Sequence, residues 1–176
     1  PAGGYKMPIR KDIIDVEEVD ERGNVWHLWD DIMRGMDVFK FTMEVGPKGI
    51  EEVLKYSNKT LENIDFVAMH QANKQIVENV AKLSRLPKDK YSSDTFRKYA
   101  NCGAAAITVN ICDQLSQREH KDIVLASFGV GLSYAFAQLN MKDCKIFDIQ
   151  TYKIPENHPT REEQIDYWVK YFKGEV

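Results

Sequence analysis

The sequence predicts an α/β layered domain with a largely buried mixed sheet packed between helices, and three observations carry that prediction. Asp65-Phe66-Val67-Ala68-Met69 is a short, nearly continuous apolar run, the pattern of a strand buried on both faces. Ile76, Val77, Val80, Ala81 and Leu83 then recur at helical spacing, with Pro87 just beyond. Residues 122–128 and 132–141 read as a buried strand and its antiparallel partner, joined at Gly129-Val130-Gly131. A helix between one buried strand and the next is the usual way to cover a sheet on its faces.

Taken in order, residues 9–29 mix short apolar stretches with an acidic run and the turn-like Arg22-Gly23-Asn24, which predicts a hairpin or irregular strands. From Gly35, the residues Met36, Phe39, Lys40 and Met43, then Ile50, Val53 and Leu54, step by three and four, and Gly46-Pro47 divides them into two consecutive helices. This Met and Phe stripe reads as core. A turn over 57–63 leads into the first buried strand, whose run ends in His70, and a helix follows over 71–85. A second apolar helix runs over 103–115, with Asn101 placed to cap it or to stand at its mouth. Beyond Asp143, residues 146–154 predict an edge strand. Thr160-Arg161-Glu162-Glu163 then opens a short amphipathic helix carrying Ile165, Trp168, Val169 and Phe172.

Composition narrows the function. The 176 residues suit one domain with its own core, and a hydrophobic fraction of 43% with 29% charged residues suits a packed protein with a solvated surface. A net charge of -3 offers no broad attraction to nucleic acid or anionic lipid. No apolar run approaches the ~20 residues a membrane helix needs. Cys102, Cys112 and Cys144 form neither a disulfide framework nor a CxxC metal pair, which fits a reducing cytoplasm. The chain starts at Pro1, which predicts a processed product, a trimmed chain or a fragment of something longer.

His70, between a buried strand and a helix, stands where α/β sheets commonly place functional groups. Histidine moves protons near neutral pH, and the amide of Asn101 can donate to an oxyanion, so together they suit carbonyl chemistry. On the residues alone, a satisfied histidine and a helix cap are the readings that spacing favours. A cysteine hydrolase using Cys102 with His70 as base is another, although Cys102 sits among Asn101, Gly103 and Ala104 in a small-residue helix start where a cysteine serves as packing. His27, His120 and His158 read as loop or surface positions; no HExxH or comparable set exists, and neither a metal nor a cofactor is expected. Gly129-Val130-Gly131 reads as a tight hairpin, or as a stretch whose backbone N–H can face a substrate oxygen without side-chain obstruction.

Three ordered motifs, His70-Gln71-Ala72-Asn73, then Tyr99-Ala100-Asn101-Cys102-Gly103-Ala104-Ala105-Ala106, then Ser127-Phe128-Gly129-Val130-Gly131, resemble the C-terminal half of β-ketoacyl-acyl carrier protein synthase III. Met36-Asp37-Val38-Phe39-Lys40 extends the resemblance at its start. It implies a thiolase-like fold, with residues 1–142 as the second half of the fold and 143–176 as an extension past its usual end. It also implies an acyltransferase in fatty acid or related lipid metabolism that condenses an acyl thioester, delivered as acyl-CoA, with a malonyl thioester on acyl carrier protein, losing carbon dioxide.

The acyl-holding cysteine would then lie in an N-terminal half absent from these residues, leaving the chain inactive alone, and the enzyme would be a homodimer. The resemblance gives His70 and Asn101 the malonyl thioester carbonyl, Asn73 the pantetheine arm, and the backbone around Gly129, Val130 and Gly131 an oxyanion. Two positions depart from it: Val130 stands where the family usually has glycine, and Gln75 where many members carry an arginine for the carrier protein. The alternative, from another class, is a non-catalytic thiolase-fold partner subunit or acyl-thioester-binding protein.

Overall fold

The computed structural model describes residues 8–30, 34–129 and 131–176. A single helical turn, α1 (Lys11–Ile14), precedes a hairpin of β1 (Glu17–Val19) and β2 (Val25–His27), paired Glu17↔His27 and Val19↔Val25. Asp20 closes its turn, its carboxylate accepting from the backbone N–H groups of Arg22 and Asn24. The predicted hairpin is therefore present, and Gly23 takes the positive φ its turn requires.

The main body is a three-stranded mixed sheet. β3 (Phe66–Met69) runs parallel to β4 (Asp122–Gly129), and β4 runs antiparallel to β5 (Ser133–Asn140). A parallel pair needs a crossover, and residues 70–121 supply it as α3 (Lys74–Leu83), α4 (Asp94–Tyr99) and α5 (Ala106–Leu115). The faces of β3 explain its unbroken apolar run. Val67 and Met69 pack into a cluster with Ile76, Val77 and Val80 of α3 and with Ile50 and Leu54 of α2 (Gly35–Tyr56). Phe66 and Ala68 join Leu115, Ile107 and Ile111 of α5 on the other face. β4 divides likewise, Val124 and Ala126 toward α2 and α3, Ile123 and Leu125 toward α5. The sheet lies between helices, as the sequence predicts. Its opening is pinned by Asp65, whose carboxylate accepts from the N–H groups of Lys121 (2.7 Å) and Asp122 (2.9 Å).

Three expectations are corrected. α2 is one helix of 22 residues with Pro47 inside it, not two. Gly46 and Gly49 allow close approach instead of ending the helix: a Cβ at Gly46 would stand 2.9 Å from Val80, and one at Gly49 2.0 Å from the Phe136 ring. Residues 146–154 form no strand. Ile146 instead packs against the α5-side cluster, and Asp148 accepts from Gln117 Nε2 at 2.9 Å. The helix predicted over 71–85 starts later, at Lys74, because Asn73 caps it. β5 is an edge strand with Tyr134 and Leu139 exposed.

The last helix, α6 (Arg161–Lys173), has the predicted capping box, with Thr160 and Glu163 bonding reciprocally, and none of its residues is buried. No helix among the described residues is long and apolar enough to cross a membrane.

Candidate functional site

His70 follows the last residue of β3, and its backbone N–H continues the parallel ladder by donating to the carbonyl of Ala126 at 2.9 Å. The backbone is thus fixed as firmly as the strand, while the imidazole is half-buried and has no hydrogen-bond partner among the described residues. Burial penalises the imidazolium and pushes the pKa below the ordinary histidine value. At neutral pH the ring is neutral, with one nitrogen to donate and one to accept.

Asn101 lies in the loop between α4 and the 3₁₀ turn Gly103–Ala105 that enters α5. It does not cap α5. Its Oδ1 accepts from the N–H of Gly103 at 3.0 Å, which anchors the carbonyl end of the amide and leaves Nδ2 without a partner among the described residues. The preceding residue, Ala100, holds φ 58° and ψ -158°, a backbone conformation that favours glycine. Cys102, half-buried, donates its S–H to the carbonyl of Tyr99, with Sγ 3.1 Å from that oxygen.

Asn73 accepts from the N–H of Ile76 through Oδ1 at 2.8 Å, so its oxygen caps α3, and its amide nitrogen has no partner among the described residues. Gly129 closes β4 opposite Ser133, three residues past Ala126 and so about 10 Å farther along the strand pair. Gly129 and His70 therefore stand toward the same, carboxyl end of the two parallel strands. Gly131 takes φ 139°, open to glycine alone, and Val130 lies outside the described residues.

The residue that joins these segments is one to which the sequence reading gave no role. Gln71 is 1% exposed, and its carboxamide reaches three separate pieces of backbone. Nε2 donates to the carbonyls of Met69 and Ser92, both at 3.1 Å, and Oε1 accepts from the N–H of Phe96 at 3.2 Å. The His70 segment is thereby tied to the first turn of α4, whose last turn leads to Asn101. No hydrogen bond joins the side chains of His70 and Asn101.

α4, absent from the sequence reading, is held from its other side by α5. Asp113 accepts from Thr95 Oγ1 and Lys98 Nζ, each at 2.7 Å, and Thr95 Oγ1 accepts from the buried Asn110 at 2.9 Å. The Ser92-Ser93-Asp94 sequence is a helix-start signal that could have revealed α4.

Burial works against the charge of Asp113, but hydrogen bonds from Lys98, Thr95 and Gln114 outweigh it and hold the carboxyl below its usual range. Glu78, bonded to Ser93 and Tyr91, and Asp65 are depressed likewise. A depressed carboxyl stabilises the fold fully above the unfolded value, near 4, and loses that contribution as pH falls through its folded value. Melting temperature is therefore expected to hold between about pH 5 and 7 and to fall below about pH 4. Asp113→Asn should flatten that acid limb while lowering stability at neutral pH; an unchanged limb would remove Asp113 from the account.

A depression of about 510 Å³ opens along the C-terminal end of α3, lined by Lys82, Arg85, Lys88 and Tyr91, and neither His70 nor Asn101 lines it. Among the described residues no group of three or more His, Cys, Asp or Glu side chains is placed to hold a metal ion.

The family described as 3-oxoacyl-[acyl-carrier-protein (ACP)] synthase III C terminal matches residues 54–141. The β-ketoacyl-[acyl-carrier-protein] synthase III of Acholeplasma laidlawii is 32% identical over 123 residues, covering 69% of this chain and 39% of the relative. Its namesake in Clostridium tetani is 36% identical over 106 residues, covering 58% of this chain and 31% of the relative. A crystal structure of 3-oxoacyl-(acyl-carrier-protein) synthase III superposes with a TM-score of 0.62 at 25% identity, over 79% of this chain and 42% of that one. The chain thus spans well under half the length of these relatives.

Proposed function

Because the chain belongs to the 3-oxoacyl-acyl carrier protein synthase III family, as a C-terminal portion with the thiolase-like layered fold, we propose that it supplies the decarboxylation and condensation half of an acyltransferase active site. The observation that carries this reading is the pair of polar groups unspent among the described residues: a neutral imidazole without a partner there at the end of β3, and the Asn101 amide with its oxygen anchored and its nitrogen available.

In this reading a cysteine thiolate in a preceding half takes an acyl group from acyl-CoA and releases the CoA thiol. A malonyl thioester on acyl carrier protein then enters, its pantetheine arm passing Asn73. His70 and Asn101 donate to its thioester carbonyl oxygen. As the carboxylate leaves as carbon dioxide, the bonding pair moves into the enolate that these donors stabilise. The enolate carbon attacks the acyl–cysteine carbonyl, whose developing oxyanion meets backbone N–H groups in the Gly129–Gly131 stretch, and collapse expels the cysteine thiolate. A neutral His70 suits the step, since a donor is needed and a fixed positive charge would hold the malonyl carboxylate in place. Carrier-protein docking without an arginine at Gln75 must use other contacts. Homodimer assembly and a cytoplasmic setting belong to the same proposal.

The test is to trap the acyl-enzyme. Incubating the complete protein with radiolabelled acyl-CoA, without malonyl thioester, is expected to leave one acyl group on a cysteine outside these residues. Label mapping to Cys102, Cys112 or Cys144 would sink the proposal.

A further inference from the structure

We propose that Gln71 is a positioning residue that sets the separation of His70 and Asn101; the inference rests on the function just proposed and deepens it. Its three hydrogen bonds use both amide protons and the amide oxygen, so only a carboxamide of this length, in this orientation, satisfies them together. One bond returns to the strand end at Met69, immediately before His70. The other two hold Ser92 and Phe96, at the entrance and first turn of α4.

α4 is six residues, about 9 Å long, and Asn101 stands two residues past its end. It makes a short strut whose near end is fastened to the His70 segment by Gln71. Its flank is fastened to α5 through Thr95, Lys98 and Asp113. Releasing the near end leaves α4 held to α5 and, through Ser93 just ahead of it, to Glu78 of α3, but no longer bonded to the strand end at Met69, so Asn101 no longer tracks His70. The strand ladder and the cluster of Val67, Met69, Val77 and Val80 do not depend on these bonds, since they pair backbone with backbone and apolar face with apolar face.

A change of about 1 Å between two groups acting on one carbonyl is enough to cost about 10²-fold in rate. Acyl transfer to the cysteine, which uses neither His70 nor Asn101, should not feel it. The experiment measures the two half-reactions separately in the complete protein: the acylation burst with labelled acyl-CoA, and condensation with a malonyl thioester, both well below the melting temperature.

Gln71→Ala is expected to lower kcat for condensation by about 10²-fold while KM for the malonyl thioester and the acylation rate stay within about threefold. Gln71→Glu has nearly the same volume, keeps an acceptor for Phe96 N–H and loses both amide donors. It should show the same selective loss and decides the matter if the alanine variant does not fold. Equal loss of both half-reactions, unchanged condensation, or failure of both variants to fold would each overturn the proposal and leave Gln71 a purely structural residue. His70→Ala is the control for the underlying reading. If condensation survives that change, the proposed function fails whatever Gln71 does.

Discussion

His70→Ala and Asn101→Ala are each expected to lower condensation by about 10²–10³-fold in the complete protein while acylation of the cysteine persists, the scale seen when one preorganised donor is removed from a developing oxyanion. The structure makes both groups suitable donors for different reasons. His70 inherits rigidity from the β3–β4 ladder, because its own N–H bonds to Ala126. Asn101 inherits it from the bond between its Oδ1 and Gly103. Among the described residues neither donor must break an internal hydrogen bond to reach substrate, so the cost of reorganisation at the moment of reaction is small.

Burial makes His70 neutral, and its lowered pKa sets the sign of the acid limb. Condensation should decline as pH falls through that lowered value, below the ordinary histidine range near 6.5, because only there does the ring become charged. A double variant no slower than either single one would mean that the pair acts as a unit on one carbonyl. Stopped-flow measurement of acylation beside steady-state release of carbon dioxide separates the steps. Loss of acylation in His70→Ala to the same extent as condensation would remove the assigned role.

Gly49→Ala is expected to destabilise the domain by about 1–2 kcal/mol, although alanine improves helix propensity by about 1 kcal/mol at an ordinary helical site. The added methyl would sit 2.0–2.4 Å from three atoms of the Phe136 ring. That ring is packed edge-on against Phe128, centroids 6.0 Å apart, and tilted against Tyr134 at 5.9 Å, so its retreat disturbs the aromatic row along β4 and β5. Urea unfolding followed by circular dichroism gives the midpoint shift. Phe136→Leu, which shortens the opposing side chain, should make Gly49→Ala less costly than it is alone. A Gly49→Ala protein more stable than the parent would show that α2 and β5 have room to spare.

This glycine also marks where the sequence was misread. Gly46-Pro47 looked like the end of one helix and the start of another, since proline removes a helical hydrogen bond and crowds the preceding turn. The apolar step of three and four nevertheless runs through it, from Phe39 and Met43 to Ile50 and Leu54, and burial of that face against α3 and the sheet outweighs the local penalty. β3, α3 and β4 were legible because their burial is written in the residues, and β5 because Gly129-Val130-Gly131 predicts a tight return into an antiparallel partner. α4 was not, because its six residues carry no apolar period and it is held by Gln71, Asn110 and Asp113, all distant in sequence. His70 and Asn101 were singled out through ordered motifs. Gln71 stood in one of those motifs without a role, since what it does is visible only when Ser92 and Phe96 are folded back beside it.

Ala100, with the glycine-like backbone set immediately before Asn101, carries a consequence for how such a chain can evolve. Replacing it with glycine removes a steric conflict of about 1–3 kcal/mol, yet also frees the hinge that aims the amide. Ala100→Gly is therefore expected to raise stability and to slow condensation together, robustness exchanged for aim.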